Sequence, residues 1–464
     1  MYKYIFILGS NWHLSLAEIN EVLKRDEYKG QITDYSACVA IVQFNRGEIS
    51  EYNIAELQFM LGGTQKICKM VEFIDYNTFT EAFPPDISGE VHPGVMIDAR
   101  RTVKEYLSDC SYYIFVRIDK KGKYFVANSV YPVEFSSDYY KILTNHFLQF
   151  ANKFWVQYLK EKGAKNAIYY RYPEDKIKNG TLNPIFPHHF MKYELFLPTK
   201  KEIVYTLTEE GMYIGYVLNV SNSNEMKMID EERPFIFKEA LIPPKFAKMM
   251  INFVNLKKPF HSTKLLDPFC GSGTILIFAY ILGIKVYGAD KDSKMVDGTR
   301  KNLKWVKQYL EKPTKVDFKS SIVNCEVADL LDRFSNTKFN GIVTEPILLP
   351  FFRTLPKYNK IKEHIDENVI PNYEHLFRIS KDLLKEKGRI CVVAPAIDTL
   401  DGGKIRIGLN KIAENYGFRY YSLLDTKEIP EKSNKNLRLQ TRNDRLFDVH
   451  SKYLDREFYI FYKT

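Results

Sequence analysis

The sequence predicts an α/β protein whose C-terminal part holds a doubly wound, mostly parallel sheet, preceded by small α+β domains. Two observations predict this fold. From Lys264 onward, short apolar segments alternate with amphipathic helical segments, which is typical of a parallel sheet with helices on both faces. Before about residue 220, short strand-like segments are mixed with only two or three helical ones, which favours small α+β units.

The composition sets the broad class of the protein. A chain of 464 residues is too long for one ordinary hydrophobic core, so we expect two to three domains. The six scattered cysteines form no CxxC pair, which argues against a zinc ribbon and for a reducing compartment. We see neither a signal peptide nor a transmembrane segment, and therefore expect a cytoplasmic protein without membrane or metal partners. The net charge of +10 is compatible with a polyanionic partner but does not establish one.

The first elements of the N-terminal half follow from local patterns. Residues 4–9 are predicted to form a strand. Ser15 and Glu18 form a capping box, which we expect to open an amphipathic helix reaching about Lys24. A long helical pattern covers residues 143–162.

A polar stretch at residues 219–234 is predicted to be a linker, and Pro243 and Pro244 after it suit the first turn of a helix. We expect domain boundaries as follows: residues 1–75, residues 76–220, a linker and helix at 221–262, and the α/β domain at 263–464.

The C-terminal domain is predicted to alternate between strands and helices up to a closing hairpin. We expect strands at 265–266, 285–290, 325–328, 341–344 and 389–394, helices at 275–282, 302–309 and 373–385, and a hairpin at 447–462.

A glycine-rich turn, Gly271-Ser272-Gly273, follows the first strand of this domain. A parallel sheet binds its ligand at the carboxyl ends of its strands, where the strand order reverses. Glycine lets the backbone approach a ligand, and free amides at the following helix start can bond a carboxylate. Asp290 ends the second strand, where an acid bonds a ribose diol. Asp329 follows the third strand-like segment and is suited to accept a hydrogen bond from an adenine amine.

This loop does not fit two common nucleotide sites. It lacks the third glycine of GxGxxG and the Lys-Ser/Thr ending of a P-loop. Asp267 disfavours a phosphate ligand but favours an amino group or a sulfonium cation. A lone glycine turn could be tight geometry only, whereas the ordered acids predict a site for S-adenosyl-L-methionine. We expect the cofactor to be bound by Asp267, Phe269, Gly271, Gly273, Thr274, Asp290 and Asp329.

Glu345 and Pro346 end the next strand, where they could activate an amine. The exocyclic amine of a base is a poor nucleophile because its lone pair is delocalised into the ring. A carboxylate and a carbonyl fixed by proline can bond its N–H groups and turn the lone pair toward a methyl group. Phe351 or Phe352 could stack on the flipped base. The alternative is a strand-terminating turn with two core phenylalanines.

With these residues in view, the chain resembles the THUMP-containing tRNA guanine-N2 methyltransferases, archaeal and eukaryotic enzymes that act on a guanosine near the D-arm. Residues 267–274 resemble the cofactor motif of that family, and the segments containing Arg233 and Lys245 resemble the stretch that precedes it. Segments 14–19 and 61–67 resemble its ferredoxin-like domain, and Leu182-Asn183 sits where its THUMP domain carries a similar pair.

The resemblance implies a Rossmann-like catalytic domain, a ferredoxin-like domain at 1–75 and a THUMP-like RNA-binding domain at 76–220. It also implies a tRNA partner and, as in some relatives, a possible small activating protein subunit. Candidates for substrate binding are Arg233, Lys245, Phe351 and Phe352.

The catalytic motif departs from the Asp-Pro-Pro-Tyr of the family. Glu345 replaces the aspartate, Ile347 the second proline and Leu348 the aromatic residue. We expect an S-adenosyl-L-methionine-dependent RNA methyltransferase acting on the N2 amine of a guanosine in tRNA. Two alternatives stay open: an amino-methyltransferase of DNA or of another RNA base, and a non-enzymatic cofactor- or RNA-binding protein.

Overall fold

The computed structural model describes residues 2–85, 93–134, 138–179, 185–237, 242–310, 318–346, 349, 354–439 and 446–464. Within these ranges, no helix has the length and apolar character needed to cross a membrane.

Strands form two separate sheets. The first sheet contains β1 (Lys3–Leu8), β2 (Gly30–Tyr35), β3 (Val39–Phe44), β4 (Thr64–Asp75), β5 (Lys123–Tyr131), β6 (Asn166–Tyr169), β7 (Lys200–Leu207) and β8 (Gly211–Val220). The second contains β9 (Lys264–Asp267), β10 (Lys285–Asp290), β11 (Ile322–Asn324), β12 (Phe339–Thr344), β13 (Leu384–Asp398), β14 (Lys404–Arg406), β15 (Phe418–Tyr420), β16 (Leu446–Val449) and β17 (Leu454–Lys463).

Helices cover both sheets. They are α1 (Trp12–Leu23), α2 (Glu51–Met60), α3 (Tyr76–Ala82), α4 (Pro93–Ile114), α5 (Tyr139–Ile142), α6 (Leu148–Glu161), α7 (Glu174–Asn179), α8 (Pro187–Lys192), α9 (Ser223–Glu231), α10 (Pro244–Phe253), α11 (Thr274–Ile281), α12 (Ser293–Tyr309), α13 (Phe318–Ser321), α14 (Leu330–Phe334), α15 (Tyr358–His364), α16 (Ile370–Leu383) and α17 (Leu409–Asn415). Shorter turns are the π-helical Leu143–Phe147 and Ile365–Val369 and the 3-10 turns Phe260–Ser262, Val327–Asp329 and Lys435–Leu437.

The first sheet, with its helices, forms what we call the eight-stranded module (residues 2–220). Its strand order is β2-β3-β1-β4-β8-β7-β5-β6. The long strand β4 pairs antiparallel with β1 on one side and with β8 on the other. The strands of the two predicted N-terminal domains therefore share one sheet, although the boundary between those domains stays a prediction.

The second sheet forms the nine-stranded domain (residues 242–464), with the order β11-β10-β9-β12-β13-β17-β15. The strands from β11 to β13 pair in parallel, and β17 inserts antiparallel between β13 and β15. The chain moves outward from β9 through β10 to β11 and then returns to β12 on the other side. This arrangement confirms the predicted doubly wound α/β fold, and its switch point lies between β9 and β12. The sheet is mixed and not mostly parallel, because the strands from β14 to β17 pair antiparallel.

One hydrophobic core joins the two parts of the protein. Leu16 of α1, Met250 of α10 and Leu276 of α11 belong to the same buried cluster. α11 is apolar on all sides because it lies enclosed between the sheet and its neighbouring helices. Buried polar groups cross the same junction, where Asn252 Nδ2 donates to Glu18 Oε1 over 2.7 Å.

Two predicted elements of the first half were wrong. The capping box does not open α1, because the helix already begins at Trp12 and Ser15 lies inside it. The Glu18 carboxylate instead accepts hydrogen bonds from the amides of Gly62 and Gly63, at 2.8 Å each. The predicted linker at 219–234 contains α9, whose first turn is capped by the Asn222 side chain.

The third strand of the nine-stranded domain was also misplaced. The prediction put it at residues 325–328, but β11 ends at Asn324, and residues 327–329 form a 3-10 turn. Among the described residues, β11 pairs with β10 alone, and the last paired residue of β10 is Asp290. An edge strand cannot continue its ladder beyond the end of its neighbour.

Candidate active site

The glycine loop joins β9 to α11 at the switch point of the nine-stranded sheet. Gly271 and Gly273 have φ of +50° and +83°, a backbone region that side chains rarely adopt. A Cβ atom on Gly273 would lie 2.8 Å from Thr299 Cγ2. The Thr299 hydroxyl donates to the Gly271 carbonyl over 2.7 Å, so α12 holds the loop in place.

Asn302 of α12 also holds this loop. Its Nδ2 donates to the Ser272 carbonyl (2.9 Å) and the Phe235 carbonyl (2.8 Å), and its Oδ1 accepts from the Phe235 amide (2.9 Å). A buried amide with all these partners acts as a fixed brace for the backbone.

Asp290 stands at the end of β10, as predicted, and faces the loop. Its Oδ2 accepts from the Gly271 amide and its Oδ1 from the Asp292 amide, at 2.9 and 3.0 Å. Burial raises the pKa of this carboxyl, while the two backbone hydrogen bonds oppose the shift. The carboxylate is thus oriented at the strand end, where a ribose diol would lie in this class of sheet.

Asp267 ends β9 and is buried beside the next strand of the sheet. Its Oδ1 accepts from the Thr344 hydroxyl over 2.7 Å and from the Phe269 amide over 3.2 Å. Burial raises the pKa of Asp267 to about 7, a shift that these hydrogen bonds oppose and that nearby Asp290 and Glu345 reinforce. A cation placed here would stabilise the ionised form.

Asp329 differs from the other acids because its side chain is exposed, at the last position of the 3-10 turn after β11. Its predicted contact with an adenine amine stays a prediction. Phe269 is only partly buried and packs against the core of the sheet.

Glu345 follows β12 directly and lies one residue beyond Thr344, so it adjoins the Asp267 contact. Arg456 of β17 donates its Nε to Glu345 Oε1 over 2.6 Å. Burial raises the pKa of the Glu345 carboxyl, and Arg456 opposes that shift. No described residue donates a hydrogen bond to the other oxygen, Oε2. Pro346 is buried immediately after it.

A chain of polar contacts extends from Glu345 to the eight-stranded module. Arg456 Nη1 lies 4.0 Å from Asp448 Oδ2, and Asp448 Oδ1 accepts from Asn11 Nδ2 over 2.9 Å. Lys245 Nζ donates to Asn11 Oδ1 over 2.7 Å. These contacts connect Lys245 to Glu345 at the end of β12, and the role of Lys245 in substrate binding stays a prediction.

Arg233 has a different place from the one expected. Its side chain is 1% exposed, and its Nη1 donates to Thr274 Oγ1 over 2.8 Å at the start of α11. A side chain enclosed in this way is unsuited to contact a substrate, so Arg233 braces the glycine loop instead. Phe351 and Phe352, with Ile347 and Leu348, lie outside the described residues.

The residues present fit S-adenosyl-L-methionine. A Cβ atom added to Gly271 would meet no atom within 4 Å, so open space lies beside the loop. Asp267 and Asp290 supply the negative charge and the acceptors that a cationic amino acid and a ribose need. The described residues offer no cluster of His, Cys, Asp and Glu able to hold a metal.

Four side chains of this site escaped sequence reasoning: Thr299, Asn302, Thr344 and Arg456. Thr299 and Asn302 lie one helical turn apart and point toward the loop, a spacing that could have indicated a shared face. Thr344 adjoins Glu345 and could have been considered with it. Arg456 has no local signal, because its role depends on the pairing of β17 with β13.

Comparison with known proteins gives a family match that spans the glycine loop and Glu345. Residues 232–401 match a family model described as UPF0020, the RMKL-like methyltransferase domain. The strand order and the glycine loop thus define a Rossmann-like methyltransferase domain, whose cofactor is S-adenosyl-L-methionine.

Relatives define the family further. A probable tRNA (guanine(10)-N2)-dimethyltransferase from Methanothermococcus thermolithotrophicus is 30% identical over 157 residues, which cover 34% of this chain and 83% of that protein. The tRNA (guanine(10)-N2)-dimethyltransferase of Methanothermobacter thermautotrophicus is 32% identical over 166 residues, or 35% of this chain and 41% of that protein. The chain belongs to the tRNA (guanine(10)-N2)-dimethyltransferase family.

The extent of these matches is limited. The chain spans less than half the length of the first relatives it matches, 41% and 47% for those of Methanothermobacter thermautotrophicus and Methanocaldococcus jannaschii. Among solved structures, TrmN from Thermus thermophilus aligns over the full length of both chains with a TM-score of 0.47 and 12% identity.

Proposed function

We propose that this protein transfers a methyl group from S-adenosyl-L-methionine to the exocyclic N2 amine of a guanosine in tRNA. The contact between Asp267 and Thr344 carries this proposal. It joins the cofactor strand end to the strand end that presents Glu345, so a methyl donor and an amine acceptor would meet there. The names of the relatives support guanosine N2 as the target.

When bound, S-adenosyl-L-methionine would supply a methyl group attached to a positively charged sulfur. The N2 nitrogen would form a bond to this methyl carbon while the carbon–sulfur bond breaks with its electrons going to sulfur, and the amine would lose one proton to solvent. Glu345 Oε2 accepts a hydrogen bond from the amine and turns its lone pair toward the methyl carbon. The Pro346 carbonyl is positioned by its ring to accept from the second N–H. Asp267 holds its negative charge beside the cationic amino acid of the cofactor.

The eight-stranded module would bind the RNA. Its exposed basic residues near the end of α6 support this part of the proposal, and they include Lys160, Lys162, Lys165 and Arg171. Exposed lysines can contact phosphates without selecting a sequence, so the module would position the tRNA while the nine-stranded domain selects the base.

The test is a transfer assay with labelled cofactor and unmodified tRNA, followed by nucleoside mass spectrometry. We expect N2-methylguanosine from the natural protein and a rate lower by about 10²–10⁴-fold for Glu345→Gln, which keeps the shape but removes the charge. Glu386→Gln is the matched control, since Glu386 is exposed and pairs with Lys463 away from the site.

Other outcomes would change the proposal in distinct ways. A methylated adenosine or cytidine would keep the chemistry and overturn the substrate. Cofactor binding without any transfer would favour the non-enzymatic alternative. Calorimetry that detects no cofactor binding would overturn the proposed activity as a whole.

A further inference from the structure

We propose that Arg456, supported by Asp448 and Asn11, is a positioning residue that fixes the orientation of Glu345, so that the eight-stranded module completes the active site. This inference rests on the proposed function, in which Glu345 contacts the amine. It goes further because it assigns a role to three residues that lie far apart in the sequence and belong to both parts of the protein.

Arg456 and Glu345 form an ion pair that is nearly enclosed by the protein. Their side chains are 4% and 12% exposed, and the Nε–Oε1 distance is 2.6 Å. Water is largely excluded from this contact, so the charges interact through a low effective dielectric constant. The guanidinium donates to Oε1, and no hydrogen bond from a described residue to Oε2 accompanies it. A glutamate has one more rotatable bond than an aspartate, and this contact restricts that freedom.

Asp448 supports Arg456 from the neighbouring strand of the same hairpin. β16 and β17 form an antiparallel hairpin in which Asp448 is paired directly with Arg456. Residues opposite each other in such a pair have Cβ atoms close enough for their side chains to interact. The 4.0 Å separation of Nη1 and Oδ2 places a second carboxylate on the guanidinium, which cannot then rotate freely.

Asn11, which precedes α1 in the eight-stranded module, contacts Asp448 in turn. Its amide donates to Asp448 and accepts from Lys245. An amide placed between a carboxylate and an ammonium has only one orientation that satisfies both. Because α1 is anchored to α10 through a shared core, Asn11 holds Asp448 from a rigid support. The contacts therefore connect the module that would bind RNA to the catalytic carboxylate.

The arrangement also sets the protonation of Glu345. The charged or titratable groups that face it are Arg456 and Asp448 from the hairpin, Asp267 from β9 and Tyr373 from α16. Arg456 alone among these is a cation. Its removal should raise the pKa of Glu345, because burial and like charge would then act without opposition. A carboxylate acceptor must be ionised, so the acid limb of the pH profile for kcat should move to higher pH.

The experiment compares Arg456→Met, Arg456→Lys and Asn11→Ala with Arg406→Met in the full chain. Arg406 pairs with Glu457 on the same sheet but is 40% exposed and makes no described contact with Glu345, so it is the matched control. We measure kcat and KM with tRNA, the cofactor affinity by calorimetry, the pH profile of kcat and the melting temperature.

We expect Arg456→Met to lower kcat about 100-fold, with KM and cofactor affinity within about threefold of the natural protein and the acid limb displaced upward. Arg456→Lys should recover part of the rate, Asn11→Ala should lower kcat about tenfold, and Arg406→Met should have no effect. An unchanged kcat in Arg456→Met, or a loss with an unmoved acid limb, overturns the inference.

Two safeguards keep the result decisive. If Arg456→Met does not fold, Asn11→Ala carries the test, since Asn11 is partly exposed and an unchanged kcat there overturns the inference. The titration of Glu345 is also followed by carbon NMR, which requires no substrate. Absence of N2-methylguanosine from the natural protein would overturn the proposed function, whereas an unchanged Glu345 titration in Arg456→Met would overturn only the positioning role.

Discussion

Cofactor binding should depend on pH through Asp267, whose carboxyl is buried at the end of β9. Burial raises its pKa to about 7, so the free protein carries the proton on a substantial fraction of molecules near neutral pH. A cationic cofactor favours the ionised carboxylate, and binding should therefore strengthen as the pH rises through 7. A neutral ligand has no such preference, so its binding should not depend on pH through this carboxyl.

The magnitude follows from the fraction of ionised carboxyl. With a pKa of about 7, roughly 90% of the group is ionised at pH 8 and roughly 10% at pH 6. If only the ionised form binds, the affinity should fall about tenfold between these two values. Binding near pH 6 should also release close to one proton, because the cofactor lowers the pKa of the carboxyl to which it binds.

The assay is isothermal titration calorimetry in buffers of different ionisation enthalpy, which counts the protons released. Asp267→Asn is the comparison, since its amide still accepts from Thr344 but cannot ionise. This variant should bind about 10–100-fold more weakly at pH 8. Any pH dependence that it keeps belongs to the cofactor itself. Equal pH dependence and equal proton release in the two proteins would refute the reasoning.

Two further changes test the loop and the eight-stranded module. Gly273→Ala should abolish measurable cofactor binding, because the added Cβ atom would press on Thr299. Gly283 has a similar φ of +89° but open space around it, so Gly283→Ala should keep cofactor binding. Cofactor binding by Gly273→Ala would contradict the loop geometry. Lys66 and Glu202 form a fully buried ion pair. Lys66→Met should therefore lower the free energy of unfolding, measured in urea, by about 3–5 kcal/mol, and adding Glu202→Gln should restore part of this loss. A Lys66→Met variant as stable as the natural protein would contradict the burial argument.

The sequence contained enough local information to predict where Asp267, the glycine turn and Asp290 lie in the fold. A strand that ends in Asp267, a glycine turn and an acid after the next strand are all set by short-range patterns, and the structure places them around one switch point. The error at β11 had a long-range cause. The length of an edge strand is limited by its partner, and no property of residues 325–328 reveals where β10 ends.

The catalytic side was less accessible to sequence reasoning because its contacts depend on topology. Arg456 reaches Glu345 across 111 positions, and Asn11 reaches Asp448 across 437. Both contacts require β17 to insert antiparallel beside β13, a pairing that hydrophobic periodicity does not specify. The capping-box error also has a long-range cause. The carboxylate oxygens of Glu18 accept hydrogen bonds from Gly62 and Gly63, in a loop distant in the sequence, and not from the start of the helix.

The glutamate at position 345 shows how these two kinds of information combine. As a sequence feature it is a departure from the aspartate of the family motif. In the fold it is 2.6 Å from Arg456, and a side chain shorter by one methylene would withdraw its oxygens by about 1.5 Å. The contact would then exceed the 3.5 Å within which a hydrogen bond forms. The length of the side chain at position 345 and the cation on β17 therefore depend on each other. Glutamate in place of the family's aspartate is matched by Arg456 of the same chain.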